Sequence, residues 1–249
     1  MMRVLLLGGT TEASLMAQAL ARTQVASVFS YAGRTARPVA QPLPTRVGGF
    51  GGVTGLITYM QEQGITHVVD ATHPFAAGMS RNAFAACAKI HIPLIRLERE
   101  AWQPQAADDW RFFDTIAAIP PALPQAPARV FLAIGKQQIG QFAHYPQHHY
   151  VLRLVDTPAG ALPLPKVQVE IARGPFDLAG DLALLRRYAI THVVAKNSGG
   201  AGARAKLDAA RKLGLPVLMA QRPAVPGSRV AGTIDEALHW LDHVADRGV

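Results

Sequence analysis

Short apolar runs alternate along this chain with longer stretches in which apolar side chains recur every three to four residues. Val4–Leu7 is a continuous apolar run ending in two glycines and predicts a buried strand, with a helix over Glu12–Ala21 behind it. Val25–Tyr31 predicts a second strand. Thr54–Gln63 carries Leu56, Ile57 and Met60 on one side and predicts a helix. Thr66–Asp70 is a β-branched strand, Gly78–Lys89 a helix of small residues around Phe84, and Ile92–Leu97 a further strand. This β-α-β rhythm places the chain in the α/β class, with mainly parallel sheets and helices on both faces.

The second half repeats the rhythm and also the letters. Ile-Thr-His-Val-Val occupies residues 65–69 and again 190–194, an offset of 125. Arg3–Gly9 resembles Arg129–Gly135 at an offset of 126, and Ile92-Pro93-Leu94-Ile95 is matched by Leu215-Pro216-Val217-Leu218. Three matched segments in one order predict two similar α/β halves. Four prolines within Pro120–Pro127 fit neither a helix interior nor a central strand, so this segment is expected to be the linker. The expected domains are therefore residues 1–118 and 119–249. Thr233-Ile234-Asp235-Glu236 is a capping-box pattern, and Ile234, Leu238, Leu241 and Val244 form one face of a terminal helix expected to pack on one of the sheets.

Composition narrows the field. Of 249 residues, 49% are hydrophobic and 17% charged, which excludes global disorder. The formal charge of +8 favours an anionic partner. One cysteine, Cys87, allows no internal disulfide. Val4–Leu7 is too short for a signal peptide core, and no run of about 18 apolar residues spans a membrane, so a soluble cytoplasmic protein is expected. The basic residues are scattered without an aromatic-basic module, which argues against nucleic acid.

Chemistry is expected at the strand ends. Gly8, Gly9, Thr10, Thr11 and Glu12 stand between a strand and a helix, where glycines admit a phosphate to the backbone and the helix N-terminus attracts it; an ordinary Thr-capped turn is the competing reading. The end of the second strand, Phe29–Arg37, lacks the acid that holds a ribose diol. It offers Ser30, Arg34 and Arg37 instead, which suits a 2′-phosphate and favours NADP(H), against a solvated basic loop. Gly48, Gly49, Gly51 and Gly52 approach a cofactor or form a flexible turn. Asp70–Ala76 follows a strand and offers Thr72 and His73, with Pro74 fixing the histidine, as a nicotinamide or substrate contact; a helix-capping His is the alternative. At the matching places in the second half stand Lys136, Lys196, Asn197 and Ser198. The two lysines are candidates for pairing with substrate carboxylates or for giving a proton. His144, His148 and His149 lack a metal-ligand frame and are read as a solvated loop; His67 and His192 are read as structural, and no metal is expected. No G-x-S-x-G elbow or P-loop occurs, and no Tyr has a Lys four residues on.

The turn at residues 6–13, the strand end Ser30–Arg34, the block Asp70–Ala76 with Ser80 and Asn82, Pro93–Arg99, Ala195–Gly199 and Lys206–Ala210 together resemble the precorrin-6A reductase family of cobalamin biosynthesis. The resemblance runs from about residue 3 to 223. It implies two Rossmann-like domains with the active site in the cleft between them, the first binding NADPH and the second facing substrate. It implies an NADPH-dependent oxidoreductase that reduces one double bond of precorrin-6A, a polycarboxylate tetrapyrrole, to give precorrin-6B. Gly8–Glu12, Ser30, Arg34 and Thr72, His73, Pro74 and Phe75 are the implied cofactor contacts. A monomer or homodimer without membrane or nucleic-acid partners is expected. Another NADP-dependent reductase or epimerase on the same fold is the alternative, and a non-catalytic two-lobed binding protein a third reading.

Overall fold

A computed structural model describes residues 1–33, 38–225 and 227–245. The chain forms two units, one of residues 1–100 with the segment from Ala224 onward, the other of residues 101–223. The first opens with β1 (Arg3–Leu7), α1 (Thr11–Leu20), β2 (Ala26–Tyr31), β3 (Thr45–Val47), α2 (Gly52–Glu62), β4 (His67–Asp70), α3 (Ala77–Lys89) and β5 (Leu94–Leu97). The second contains β6 (Trp110–Phe113), β7 (Arg129–Ala133), β8 (His149–Leu154), β9 (Val167–Ile171), α4 (Leu178–Arg187), β10 (His192–Lys196), α5 (Ala205–Lys212) and β11 (Val217–Ala220). The chain then returns to the first unit as β12 (Arg229–Ala231) and α6 (Ile234–Ala245).

Each unit holds one six-stranded parallel sheet, in the orders β12-β5-β4-β1-β2-β3 and β6-β11-β10-β7-β8-β9. From their fifth strands outward both follow the doubly wound Rossmann order, but the sixth strand of each is exchanged. β6, which follows β5 in sequence, pairs with β11; β12, which follows β11, pairs with β5. Alternation along β1 shows how the first sheet is covered. Val4 and Leu6 pack with Met16 of α1 and Trp240 of α6, whereas Leu5 and Leu7 pack with Met60 of α2 and Cys87 of α3. The second sheet buries Phe131, Val193 and Val217 against Leu185 of α4 and Leu207 of α5.

The repeat read from the letters extends to the hydrogen bonds. Thr66 Oγ1 accepts from the Arg3 amide at 2.8 Å and lies 2.8 Å from His67 Nδ1. Thr191 Oγ1 accepts from the Arg129 amide at 3.1 Å and lies 2.9 Å from His192 Nδ1. α2 and α4 end alike, with Ile65 N donating to Met60 O and Ile190 N to Leu185 O across a residue of positive φ, Gly64 at 59° and Ala189 at 47°.

Three expectations need correction. The division does not fall at residue 118: residues 101–118 belong to the second unit and the stretch from Ala224 to the first, because β6 and β12 each pair with a strand of the other half. Pro120–Pro127 is not the linker; it lies within the second unit, where Pro120–Ala122 form a 3-10 turn with Pro120 buried, a use of fixed φ that needs no ladder hydrogen bond. His148 is fully buried rather than solvated. Its Nδ1 accepts from the Ala128 amide at 3.1 Å, and its ring meets Tyr150 edge-on. The terminal helix is present and packs on the first sheet. Thr233 Oγ1 caps the Glu236 amide, while the Glu236 carboxylate reaches back to Gly232 N rather than to Thr233.

Ala189→Gly removes a left-handed strain of about 1–2 kcal/mol against a chain-entropy cost of about 0.5–1 kcal/mol. It is expected to raise the urea midpoint at constant m, for a stability gain of about 0.5–1 kcal/mol, whereas Gly64→Ala lowers it. Burial holds His148 and His67 below the ordinary 6.5. Above that pH both states are neutral and stability is complete. As pH falls below 6.5 the unfolded state takes protons first, so stability drops until the depressed native values are reached. His148→Asn keeps an acceptor for the Ala128 amide and should reduce the slope of unfolding free energy against pH by up to about 1.4 kcal/mol per unit in that window.

Candidate functional site

In open parallel sheets ligands bind beyond the carboxyl ends of strands where the strand order reverses, which in the first sheet is between β1 and β4. β1 ends there in Gly8, whose amide donates to Ser30 O at 3.0 Å. A Cβ on Gly8 would stand 2.1 Å from Cζ of the buried Phe29 ring, so packing requires this glycine. Gly9 has φ +122° with open space where a side chain would point. Thr10 caps α1: its Oγ1 accepts from Ala13 N at 3.0 Å and donates to Ala71 O at 2.8 Å, just beyond β4. That hydroxyl proton is engaged on Ala71 O, the Thr-capped turn that the sequence held as the competing reading. Thr11 is exposed in the first turn. The Glu12 carboxylate pairs with Arg99 beyond β5.

The end of β4 is built around Asp70, which is 2% exposed. Its Oδ1 accepts from the Thr72 amide at 3.1 Å and the Thr72 hydroxyl at 2.7 Å, while Arg96 of β5 lies 3.9 Å from Oδ2 and also pairs with Glu98. Thr72 Oγ1 is 3.4 Å from Ser80 Oγ of α3. His73 Nδ1 accepts from Phe75 N at 3.2 Å, so the neutral ring carries its proton on Nε2. Pro74 is buried, and His73 and Phe75 are partly exposed. Burial and the charge of Asp70 push the Cys87 thiol up to about 12, which removes it as a nucleophile.

The ends of β2 and β3 meet at Arg46. Its Nη1 donates to Ser30 Oγ at 2.8 Å and Gly48 O at 2.9 Å, its Nη2 to Gly49 O at 3.2 Å, and its guanidinium lies 3.9 Å from the Phe50 ring centroid. The arginine expected at this edge from sequence, Arg34, lies outside the described residues, as does Arg37. Gly51 and Gly52, with φ of 79° and 85°, turn this loop into α2.

In the second sheet the matching ends belong to β7 and β10. Lys136 is exposed at the start of a 3-10 turn, Lys136–Phe142, and Lys196 closes β10. Asn197 is 4% exposed and clamps the backbone of Trp102, its Oδ1 accepting from Trp102 N at 2.8 Å and its Nδ2 donating to Trp102 O at 3.0 Å. Trp102 Nε1 donates to Gly200 O at 2.8 Å, and Lys206 Nζ lies 4.8 Å from the Trp102 rings. Both polar atoms of the Asn197 side chain, expected from sequence at the substrate, are thus engaged with the Trp102 backbone. Ser198 is buried beside it. Arg222, beyond β11, donates from Nε to Asn197 O at 2.9 Å.

The family model described as Precorrin-6x reductase CbiJ/CobK matches residues 3–242. The chain belongs to this family. It is 60% identical over 251 residues to the precorrin-6A reductase of Rhodobacter capsulatus, covering 100% of both chains, and 45% identical over 244 residues to that of a Sinorhizobium species, covering 96% of this chain and 94% of that one. A solved structure titled CobK precorrin-6A reductase superposes with a TM-score of 0.94 at 59% identity, over 100% of this chain and 98% of that one.

As a member of the precorrin-6x reductases the protein is an oxidoreductase, and its two sheets follow the family's fold. Gly8–Glu12, Ser30 and Thr72–Phe75 stand at the carboxyl ends of β1, β2 and β4 in the first sheet. Arg46 and Arg222 were not singled out from the sequence, and Asp70 and Arg96 entered only as members of the blocks Asp70–Ala76 and Pro93–Arg99. Arg46 sits in a three-residue strand between Pro44 and Gly48, too short to announce itself; the alternation Arg96-Leu97-Glu98 beyond an apolar run was the available signal for the second pair of charges. Among the described residues no group of three or more His, Cys, Asp or Glu could hold a metal, and no helix is long and apolar enough to cross a membrane.

Asn197→Asp keeps the acceptor but leaves the Trp102 carbonyl without its donor and buries a charge. A loss of about 2–3 kcal/mol in denaturant unfolding is expected, with a red shift of tryptophan emission at sub-denaturing urea.

Proposed function

We propose that the protein reduces precorrin-6A to precorrin-6B with NADPH, the nucleotide lying on the strand ends of the first sheet. The residues fit a dinucleotide: Gly9 leaves open space at a positive φ, where a side chain would be both strained and in the way, and the ten-residue helix α1 begins next to it. The observation that carries the choice of NADPH is Arg46, held by Ser30 at the end of β2, where Rossmann folds distinguish the adenosine ribose.

When bound, the nicotinamide supplies a hydride to the macrocycle, and the product also needs a proton. The chain's own residues orient and neutralise. Backbone amides at Gly9–Glu12 and the α1 dipole take the diphosphate, with Glu12 held on Arg99. Arg46 meets the 2′-phosphate as a fork-shaped cation stacked on Phe50. Thr72, locked onto Asp70, and His73, locked by its bond from Phe75 N, present a fixed edge to the nicotinamide side. Lys136 and Lys196 are assigned to the substrate, as carboxylate partners or as the proton source.

The direct test is anaerobic incubation of the purified protein with precorrin-6A and NADPH, following loss of nucleotide fluorescence and the mass gain of two hydrogens in the tetrapyrrole. No turnover would remove the reading. Arg46→Gln is expected to raise KM for NADPH about tenfold or more, as for loss of a charge-assisted phosphate contact, while changing KM for NADH less than threefold. Equal loss with both nucleotides would place Arg46 outside the 2′-phosphate site.

A further inference from the structure

The terminal helix α6 turns its apolar side to the first sheet, with Ala237, Trp240 and Leu241 buried in the core and Ile234 and Leu238 packed against it. Its other side is exposed and carries Glu236, His239 and His243, at spacings of three and four residues. Residues four apart stand above one another on a helix, with Cβ atoms about 5–6 Å apart, and two histidines so spaced can reach a single ion. The His239 and His243 rings lie 3.9 Å apart between centroids, tilted by 50°.

His243 is already set as a ligand. Its Nδ1 lies 2.9 Å from the His239 carbonyl oxygen. A carbonyl oxygen only accepts, so Nδ1 carries the proton and donates it, and the neutral ring keeps its lone pair on Nε2. Anchoring one ring nitrogen on a backbone carbonyl is how proteins orient the other towards a metal. His243 also stands in the last turn of α6, where the helix dipole favours positive charge. His239 lines, with Glu236, Arg229 and Trp240, a cavity of about 170 Å³ between α6 and β12. Glu236 and Arg229 bring one charge of each sign to that cavity. The Glu236 carboxylate is held on Gly232 N at 2.8 Å and is not counted as a ligand.

We propose that His239 and His243 form a two-histidine site for a divalent transition-metal ion of the nickel–zinc class, with water completing the coordination. Imidazole suits these ions, whereas magnesium and calcium take oxygen. Two protein ligands are fewer than the three or four of catalytic and structural zinc, so the ion exchanges and the fold does not require it. When bound it ties the last turn of α6 to the turn before, and the helix that covers the first sheet gains stability by mass action. Neither histidine belongs to the strand ends assigned to the nucleotide, so the site stands or falls apart from the reductase reading.

The test uses the full-length protein without an affinity tag, stripped with chelator and titrated calorimetrically at neutral pH with Ni2+ and Zn2+, and with Mg2+ as the oxygen-preferring control. The parent is expected to bind one Ni2+ or Zn2+ and no Mg2+. Losing only the hydrogen-bond partner of a ligand costs about 10–100-fold in metal affinity, so His239→Gln and His243→Gln are each expected to weaken Ni2+ about tenfold or more. His144→Gln, which removes an exposed histidine of the second unit, is expected to keep the parent affinity. Saturating Ni2+ should raise the melting temperature of the parent and of His144→Gln, but not of the two α6 variants. No binding by the parent, parent affinity in either α6 variant, or loss only in His144→Gln overturns the proposal. Should an α6 variant fail to fold, the parent decides through diethyl pyrocarbonate labelling read by peptide mass. Protection of His239 and His243 by Ni2+ supports the site, and equal labelling with and without the ion refutes it.

Discussion

One hydroxyl fixes the geometry on which the carboxyl edge of the first sheet depends. Thr10 Oγ1 accepts from Ala13 N and donates to Ala71 O, so a single atom caps α1 and ties its first turn to the chain leaving β4. Because β1 and β4 are the strands between which the order reverses, the crevice at this edge has a bound helix on one wall and the Thr72–Phe75 block on the other. Gly8 continues the constraint sideways, its amide on Ser30 O and its missing side chain filled by Phe29. The glycine that packing requires and the glycine that leaves space for a ligand are thus adjacent and distinct.

Charge around that crevice is organised in pairs that hold one another. Asp70 is engaged by Thr72 and faces Arg96, Arg96 pairs with Glu98, and Glu12 pairs with Arg99. Paired and largely buried, these groups determine position more than they contribute net stability, since desolvation offsets much of their attraction. Arg46 differs in being stacked on an aromatic face and bonded to neutral oxygens, contacts that do not neutralise its positive charge.

Much of the fold was legible because parallel strands buried on both faces are continuous apolar runs, and β1, β4, β5, β7, β10 and β11 are of that kind. The repeat was legible for the same reason, and at Thr66–His67 and Thr191–His192 the shared letters mark a shared hydrogen bond. What escaped were β8 and β9, with β8 opening at a histidine read as part of a solvated loop, and the edge strands β3, β6 and β12, three or four residues long, where pairing depends on a distant partner and leaves little local pattern. The unit boundary was lost with β6 and β12, and the prolines drew it to Pro120–Pro127 instead. At the site, the glycine turn and the Thr72–Phe75 block were visible as motifs. Thr10 takes the helix cap that the sequence held as the competing reading; the role of Asn197 was not visible, because an amide that binds a ligand and one that binds a backbone are the same letter until the neighbouring chain is in place.

The exchanged sixth strands explain why those two short elements matter. A parallel sheet needs a crossover for each added strand, and the direct continuation of β5 would have placed β6 on the first sheet. Instead the chain leaves after β5, builds the second sheet, and returns to complete the first. Each sheet's outermost strand, and through α6 one covering helix of the first, is therefore supplied only after the other half has been traversed. Two halves built on one pattern are thereby tied by chain connectivity at both ends of the second unit. Divergence of charge at one edge then proceeds on a scaffold whose registers are held elsewhere: Glu98 N and Gln221 N still make the same bond to an exchanged strand, although one residue carries an acid and the other an amide.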